Sequence, residues 1–161
     1  MIRGWWAPEG EGTWILDGRS ILPVPGHAEL AVVKVGDVGV AYPRTLPESP
    51  PVVRNGDYLV FTGVDEVGPI VFGPLVPSVA RTFDGVPMAP WSYVGARFVD
   101  DPVTGTFTAE AVRVEPDPTK VRDVSRDDRA VRYVAGDAVP PGMYAVFHAG
   151  RRRASIVQFG E

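Results

Sequence analysis

Cysteine is absent from this chain of 161 residues, and histidine occurs only twice, as His27 and His148. The lack of cysteine excludes a disulfide framework, a thiolate nucleophile and a cysteine-based zinc site. Neither histidine lies in an HExxH frame, and the two are far apart in the chain, so both are expected to be packing or surface residues. The sequence therefore predicts no metal site and no cofactor.

The short motifs of nucleophilic catalysis and phosphate binding are also missing. The chain contains no GxSxG elbow, no GxxxxGK[ST] loop and no GxGxxG turn. The acidic pairs Asp100-Asp101 and Asp127-Asp128 could hold calcium or act as acid and base. Because adjacent side chains diverge, a solvated loop and a helix N-terminus are the favoured interpretations. We predict that the protein is not an enzyme, and a site assembled from scattered residues remains the alternative.

Positive charge and long apolar runs are scarce as well. The net charge is −4 and the pI about 5.2, so no nucleic-acid partner is expected. The longest uncharged run, residues 67–80, contains three prolines and is too short to span a bilayer as a helix. Residues 1–5 do not resemble the start of a secretory signal. We expect a soluble protein that is made in the cytoplasm and has no membrane partner.

Valine is abundant, with 27 copies against 6 leucines and 5 isoleucines. Valine is stiff at χ1 and packs well on a pleated surface, which favours strands over helices. The 18 glycines and 17 prolines are spread along the chain and punctuate short strands. The sequence predicts an all-β fold, an antiparallel β-sandwich or barrel of short hairpins with at most one short helix. Residues 15–161 are expected to form its single domain.

Four hairpins are predicted from alternating apolar residues and turn glycines. Two of them, residues 53–73 and 139–159, align after a shift of 86 positions, which indicates two hairpins of one design. Tyr58, Val60 and Phe61 are therefore expected to line the core in the same way as Tyr144, Val146 and Phe147. The other two hairpins join residues 28–35 to 38–42 and residues 91–99 to 106–115.

Two further segments receive structural predictions. Residues 43–51 hold four prolines in nine positions, so they are expected to be extended and to cross between sheets. Residues 116–132 are the helix candidate, with Ser125 as N-cap and acidic residues in the first turn. Val131, Tyr133 and Ala135 fit a strand equally well.

The N-terminal segment carries three of the four tryptophans, Trp5, Trp6 and Trp14. Its glycines and Pro8 disfavour a regular helix, so residues 1–14 are predicted to form an extended arm. Adjacent side chains such as Trp5 and Trp6 face opposite ways on a strand and do not form one flat platform for sugar stacking. We therefore favour a docking arm that binds a neighbouring subunit or partner over a carbohydrate site.

One dense basic cluster, Arg151-Arg152-Arg153, lies at the predicted tip of the last hairpin. It is a candidate contact for phosphate or for an acidic partner surface. The alternative is an exposed turn whose charges prevent edge-to-edge pairing.

The segments MIRGWWAPEGEG, PRTLPESPP and RRRASIVQFGE give the chain a texture that resembles small all-β structural proteins of tailed bacteriophages. Head decoration proteins and tail proteins are the examples in question. The resemblance implies a non-enzymatic component of a virion, with copies of itself or other virion and assembly proteins as partners. It transfers no functional residue. A β-sandwich module that binds a ligand or carbohydrate is the alternative function.

Overall fold

The computed structural model describes residues 12–18, 20–24, 28–44, 46–62, 70–77, 81–83, 86–88, 92–126, 129–148 and 153–160. These residues form strands and one short 3-10 turn, Pro118–Lys120, which confirms the predicted all-β class. The sixteen strands are β1 (Gly12–Leu16), β2 (Ile21–Pro23), β3 (Ala28–Val35), β4 (Val38–Pro43), β5 (Val52–Val53), β6 (Tyr58–Thr62), β7 (Ile70–Pro77), β8 (Arg81–Phe83), β9 (Val86–Met88), β10 (Ser92–Val94), β11 (Ala96–Asp101), β12 (Thr106–Ala111), β13 (Val121–Arg126), β14 (Arg129–Ala135), β15 (Gly142–His148) and β16 (Arg153–Phe159).

Six strands close into a small antiparallel barrel. Their order is β15-β7-β10-β4-β3-β16, and β16 pairs back onto β15, so the ring of pairings returns to its start. The two-residue strand β5 adds to β16 in parallel, opposite Gln158 and Phe159. The side chains inside the barrel are apolar, and most of them are no larger than leucine, a composition that suits so narrow a barrel. They are Leu30, Ala41, Leu75, Val94, Met143, Ala145, Phe147, Ala154 and Ile156.

A separate antiparallel sheet of five strands has the order β13-β14-β6-β1-β2. Its central strand, β6, pairs with β14 on one edge and β1 on the other, so Val60 lies between Tyr133 and Trp14. One face packs on the outside of the barrel, and this contact forms the main core. That core includes Val24, Val53, Leu59, Phe61, Phe72, Val134, Ala138, Val139, Tyr144, Val146, Val157 and Phe159. The fold therefore combines the two predicted options, a closed barrel and a sandwich-like packing of layers.

The opposite face of the five-stranded sheet is also buried at its centre. Val60, Val131 and Tyr133 are at most 1% exposed, and Trp14 and Tyr58 pack beside them. Strand β6 therefore buries Phe61 on one face and Val60 on the other, as the alternation of a strand requires. Both faces of β6 are therefore covered within the fold.

The hairpin of β11 and β12 packs on a third side, against the outer surface of β3, β4 and β10. Val40, Tyr93 and Ala96 are buried there, and Phe98 of β11 packs against them. Gly95, with φ of 63°, separates β10 from β11 and lets the chain leave the barrel wall for the hairpin. The predicted strand over residues 91–99 is thus two strands in two sheets.

The predicted hairpin over residues 53–73 is wrong. Strand β6 belongs to the five-stranded sheet, whereas β7 pairs with β10 and β15 in the barrel. Both edges of β6 are already occupied by β1 and β14, so β7 has no edge of β6 to join. The hairpins β3–β4, β11–β12 and β15–β16 are confirmed.

The expected equivalence of the two aligned segments is wrong for the same reason. Phe61 lies in the core between the sheet and the barrel, whereas Phe147 faces the barrel interior. Val60 faces away from the barrel, whereas Val146 lies in the main core. Similar local patterns therefore serve two different layers.

The helix candidate is also wrong, and strands occupy most of that region. Asp117 caps the 3-10 turn by accepting hydrogen bonds from the Thr119 N–H at 3.0 Å and the Thr119 hydroxyl at 2.8 Å. Ser125 then lies inside β13, and the period-two set Val131, Tyr133 and Ala135 lies in β14. Pairing of β14 with β6 favours the strand over the helix, because it buries Val131, Tyr133 and Val134.

The predicted crossing between sheets lies at a different place in the chain. The described residues of 43–51 join β4 to β5, which is added to the barrel strand β16, so both ends of this segment are in one sheet. The chain passes to the five-stranded sheet only after β5, at the turn that leads into β6. The Asn55-Gly56 turn is closed by the Asp57 N–H, which donates to the Arg54 carbonyl at 3.0 Å, with Gly56 at φ of 96°. Gly136 packs directly on this turn, since a Cβ there would collide with the Arg54 carbonyl.

Candidate interaction surfaces

Only part of the predicted partner-binding set lies within the described residues. Trp5, Trp6, Arg151 and Arg152 lie outside them, as do Asp127, Asp128 and His27. Arg153 begins β16, and its backbone pairs with Glu29 of β3 in the barrel. Trp14 lies in β1 of the five-stranded sheet, so these two predicted site residues belong to different sheets.

Trp14 anchors the sheet. Its side chain is half-buried, and its Nε1 donates a hydrogen bond to Thr62 Oγ1 at 3.1 Å. Thr62 is fully buried, and its hydroxyl donates to the Gly12 carbonyl at 3.5 Å. The last three residues of the predicted arm are therefore part of β1, and only residues 1–11 remain as the arm segment.

The acidic pair Asp100-Asp101 ends β11 and leads into a turn. Asp101 Oδ1 accepts the Val103 N–H at 2.9 Å, and this bond and the Thr104 hydroxyl lower the pKa of the Asp101 carboxyl. The described residues contain no group of three or more side chains with the residue types that bind metals. For Asp101 the geometry is that of a carboxylate that stabilises its own turn.

The tip of the β11–β12 hairpin presents exposed apolar residues. Val103 is 91% exposed and Val99 44% exposed, whereas most valines of the described strands are at least partly covered. The base of the same hairpin is held firmly: the Phe98 ring meets Tyr93 edge-on at 4.8 Å and Phe107 at 5.7 Å. Arg97 and Glu110 form an ion pair across the two strands. A rigid hairpin therefore carries an apolar tip into solvent.

Sequence reasoning predicted this turn as a solvated loop and missed Val103 as a surface feature. The only local signal is one valine between Pro102 and Thr104 in an otherwise polar turn. Its exposure depends on the tertiary placement of the hairpin, which follows from Phe98 packing on the barrel.

A second candidate surface is an interruption of the barrel wall. Strand β10 is three residues long and bridges β4 and β7 only near Ala41 and Leu75. Below its end, no strand of the described residues is hydrogen-bonded to both residues 38–40 of β4 and residues 70–73 of β7. We call this interruption the β4–β7 gap. Two strands on either side of one missing strand are separated by roughly 9.5 Å, twice the usual spacing.

The backbone of both strands points into the β4–β7 gap. The Gly95 N–H donates to the Pro74 carbonyl at 2.8 Å, so Pro74 faces the β10 side of β7. Alternation along an antiparallel strand then turns the N–H and C=O of Phe72 to that same side. On β4, the two-residue turn after Val35 makes Val35 and Val38 a hydrogen-bonded pair, and Val33 and Val40 the next one. Gly39 lies between these two hydrogen-bonded positions. Its backbone therefore points away from β3 and faces the gap.

A cleft of about 370 Å³ occupies the β4–β7 gap. Its lining is mostly apolar or glycine, and it includes residues 111–115, which comprise the last residue of β12 and the segment after it. The lining residues are Gly39, Ala41, Ile70, Val71, Phe72, Gly73, Val94, Gly95, Ala111, Val112, Arg113, Val114, Glu115 and Phe147. The exposed side chains of Arg113 and Glu115 supply one charge of each sign at the rim. No sequence signal indicated this cleft, because it depends on where β10 ends.

Comparison with known proteins found no matching family model, no matching curated protein and no matching solved structure. Within the part of the chain described, no helix has the length and apolar character needed to cross a membrane.

Proposed function

We propose that the protein is a non-enzymatic structural protein that stabilises an assembly through protein–protein contacts. The observation that supports this most is the β11–β12 hairpin, whose base is fixed by aromatic packing and whose tip exposes Val103. An exposed apolar side chain on a rigid projection gains free energy when a partner surface covers it.

The assembly proposed is a virion of a tailed bacteriophage, in which the protein acts as a capsid decoration or tail protein. The support is the resemblance of sequence texture described above, together with the all-β architecture. In such an assembly the natural partners are copies of the same chain or other virion proteins, and closed symmetric rings are the common arrangement. Residues 1–11, with Trp5 and Trp6, are the second proposed contact, because large aromatic side chains gain most from burial.

A second candidate function is supported by the cleft in the β4–β7 gap. A cleft of about 370 Å³ lies in the size range of small-molecule sites, roughly 300–1,000 Å³. Its mostly apolar lining and two rim charges would suit a ligand or carbohydrate-binding module of the β-sandwich type.

Sedimentation velocity of the full chain, over a wide range of protein concentration, tests the two functions against each other. A sharp trimer or larger ring is expected for an assembly protein. A protein that stays monomeric at every concentration and binds members of a glycan or metabolite library would overturn the assembly function and establish the binding module.

A further inference from the structure

We propose that the β4–β7 gap receives an extended segment of a partner protein, which adds to the barrel wall as a strand. This inference rests on the proposed function, since it assigns one protein–protein contact to a defined place in the fold. Residues 38–40 and 70–73 form the two sides of the gap, so the added segment spans about three or four residues.

The first reason is the backbone chemistry of the two strands that flank the gap. Phe72 and Gly39 direct N–H and C=O groups into it, and neither has a backbone hydrogen bond on that side among the described residues. Phe72 is buried, so its backbone groups strongly favour a partner, whereas Gly39 is exposed and its backbone groups can bond to water until a partner replaces it. Only another extended backbone supplies donors and acceptors to both strands at the usual spacing, and this is how strand addition achieves affinity.

The second reason is the shape of the floor. Two small residues lie on this face of β4: Gly39 has no side chain, and Ala41 has only a methyl group. Gly73 sits against Val94, and any side chain there would collide with it. The floor is therefore low enough for a backbone to lie in the gap with one side chain directed toward the barrel interior. That side chain meets Val71, Val94 and Phe147, so it is apolar.

The third reason is the charge at the rim. Arg113 and Glu115 are exposed, and neither forms an ion pair within the described part of the chain. They are two positions apart, so they project to the same side of an extended segment. A partner segment with an acidic and a basic residue flanking its apolar residue complements both charges. The occupant we infer is thus a mixed-charge, extended peptide with one central apolar side chain.

The test uses the folded full-length protein and a displayed library of random heptapeptides. The blocking variant is Gly39→Val, since an added Cβ at this position meets only Val32 Cγ1, at an ordinary contact distance of 3.7 Å, and valine suits a strand. The second blocking variant, Arg113→Ala with Glu115→Ala, changes only exposed side chains. Heptapeptides of the inferred type should be enriched on the wild type and lose roughly tenfold in affinity on Gly39→Val, as expected for lost backbone bonds.

Amide NMR then locates the bound peptide. An enriched heptapeptide should shift the resonances of Gly39 and Phe72 and slow their hydrogen exchange. The amides of β13 serve as an internal control at another strand edge, since this strand pairs with β14 alone among the described residues and does not line the cleft. N-methylation of the central peptide residue should remove the binding, because the methylated backbone cannot donate.

Three results would overturn the inference. No enrichment specific to the wild type would show that the gap accepts no peptide, and equal binding of the N-methylated peptide would show an apolar pocket instead. Concentration-dependent changes at Gly39 and Phe72 without peptide, abolished by Gly39→Val, would assign the gap to a second copy of the chain. Sedimentation of the same samples keeps the two proposals separate, since an oligomer that forms without a peptide in the gap preserves the assembly function.

Discussion

The ring of Phe61 in the five-stranded sheet meets the ring of Phe72 in the barrel edge-on, with centroids 6.4 Å apart. Phe72 in turn meets Phe159 of β16 at 6.2 Å, so one aromatic chain joins the sheet to two strands of the barrel. Edge-to-face pairs of this kind contribute beyond the area that they bury. The two layers are therefore coupled through Phe61.

Phe61→Ala is expected to lower the free energy of unfolding by about 3–5 kcal/mol, because it opens a cavity at this junction. Phe147→Ala, a matched change in the barrel, should cost less, about 2 kcal/mol, since Phe147 is only partly buried and borders the cleft. Urea denaturation of both variants measures the difference. Equal losses would show that the layers are not coupled through Phe61 as described.

Gly136→Ala is expected to destabilise the protein by about 3 kcal/mol or more, because the added methyl group collides with the Arg54 carbonyl. The Gly136 N–H also donates to the Asp57 carbonyl at 2.9 Å, so the turn and β14 cannot separate without losing that bond. Gly39→Ala is the control, since its methyl group has room and the change in stability should stay below about 1 kcal/mol. If the two variants had the same melting temperature, this result would contradict the close packing at Gly136.

Stability should fall as the pH rises above about 10, the usual pKa of tyrosine. Burial raises the pKa of Tyr133 and of Tyr144 above that value. The unfolded chain therefore loses these two protons at a lower pH than the folded chain does. The two tyrosines contribute their full stabilisation below their pKa in the unfolded chain, and this contribution is lost as the pH rises through their pKa in the folded chain.

A variant with Tyr133→Phe and Tyr144→Phe provides the control for this pH dependence. At neutral pH it should be less stable by about 1 kcal/mol or more, since Tyr144 Oη donates to the Pro140 carbonyl at 2.6 Å. Its stability should then fall less steeply than that of the wild type in denaturation curves between pH 9 and pH 11 or so. Parallel curves for the two proteins would show that the buried tyrosines do not cause the loss.

Val103→Asp should leave the melting temperature unchanged, because the side chain is 91% exposed and touches no core. If the hairpin tip is a contact in the assembly, the same change should weaken self-association by roughly tenfold or more, through the burial of an unpaired charge. Val103→Ile keeps the apolar character and is expected to assemble normally. Sedimentation profiles that are identical for all three proteins would remove the hairpin tip from the interface.

The parts of the fold that could be predicted from sequence are those with a local cause. Gly36-Asp37 between two apolar runs indicates the β3–β4 hairpin, and Asn55-Gly56 indicates the turn between β5 and β6, because such residues favour those backbone angles. The valine excess indicates strands for a similar reason. The pairing of β6 with β14 rather than with β7 could not be predicted, since the aromatic and branched side chains of residues 58–61 suit any central strand.

The candidate surfaces were harder to predict than the strands. The β4–β7 gap exists because β10 ends at Val94 and Gly95 diverts the chain, and a single glycine in the sequence does not reveal that end. Trp14 was predicted as a free docking residue, whereas its indole N–H is bound to Thr62, 48 positions away in the chain. Both features depend on pairings between distant segments.

The central claim, that the protein works by contacts between subunits, is tested most directly by sedimentation velocity of the full chain beside a variant that lacks residues 1–11. This deletion stops before β1, so the five-stranded sheet is retained. The account predicts a discrete oligomer for the full chain and a folded monomer for the shortened one, with unchanged far-UV circular dichroism. A full chain that is monomeric at every concentration, or a shortened chain that assembles as well as the full one, would contradict it.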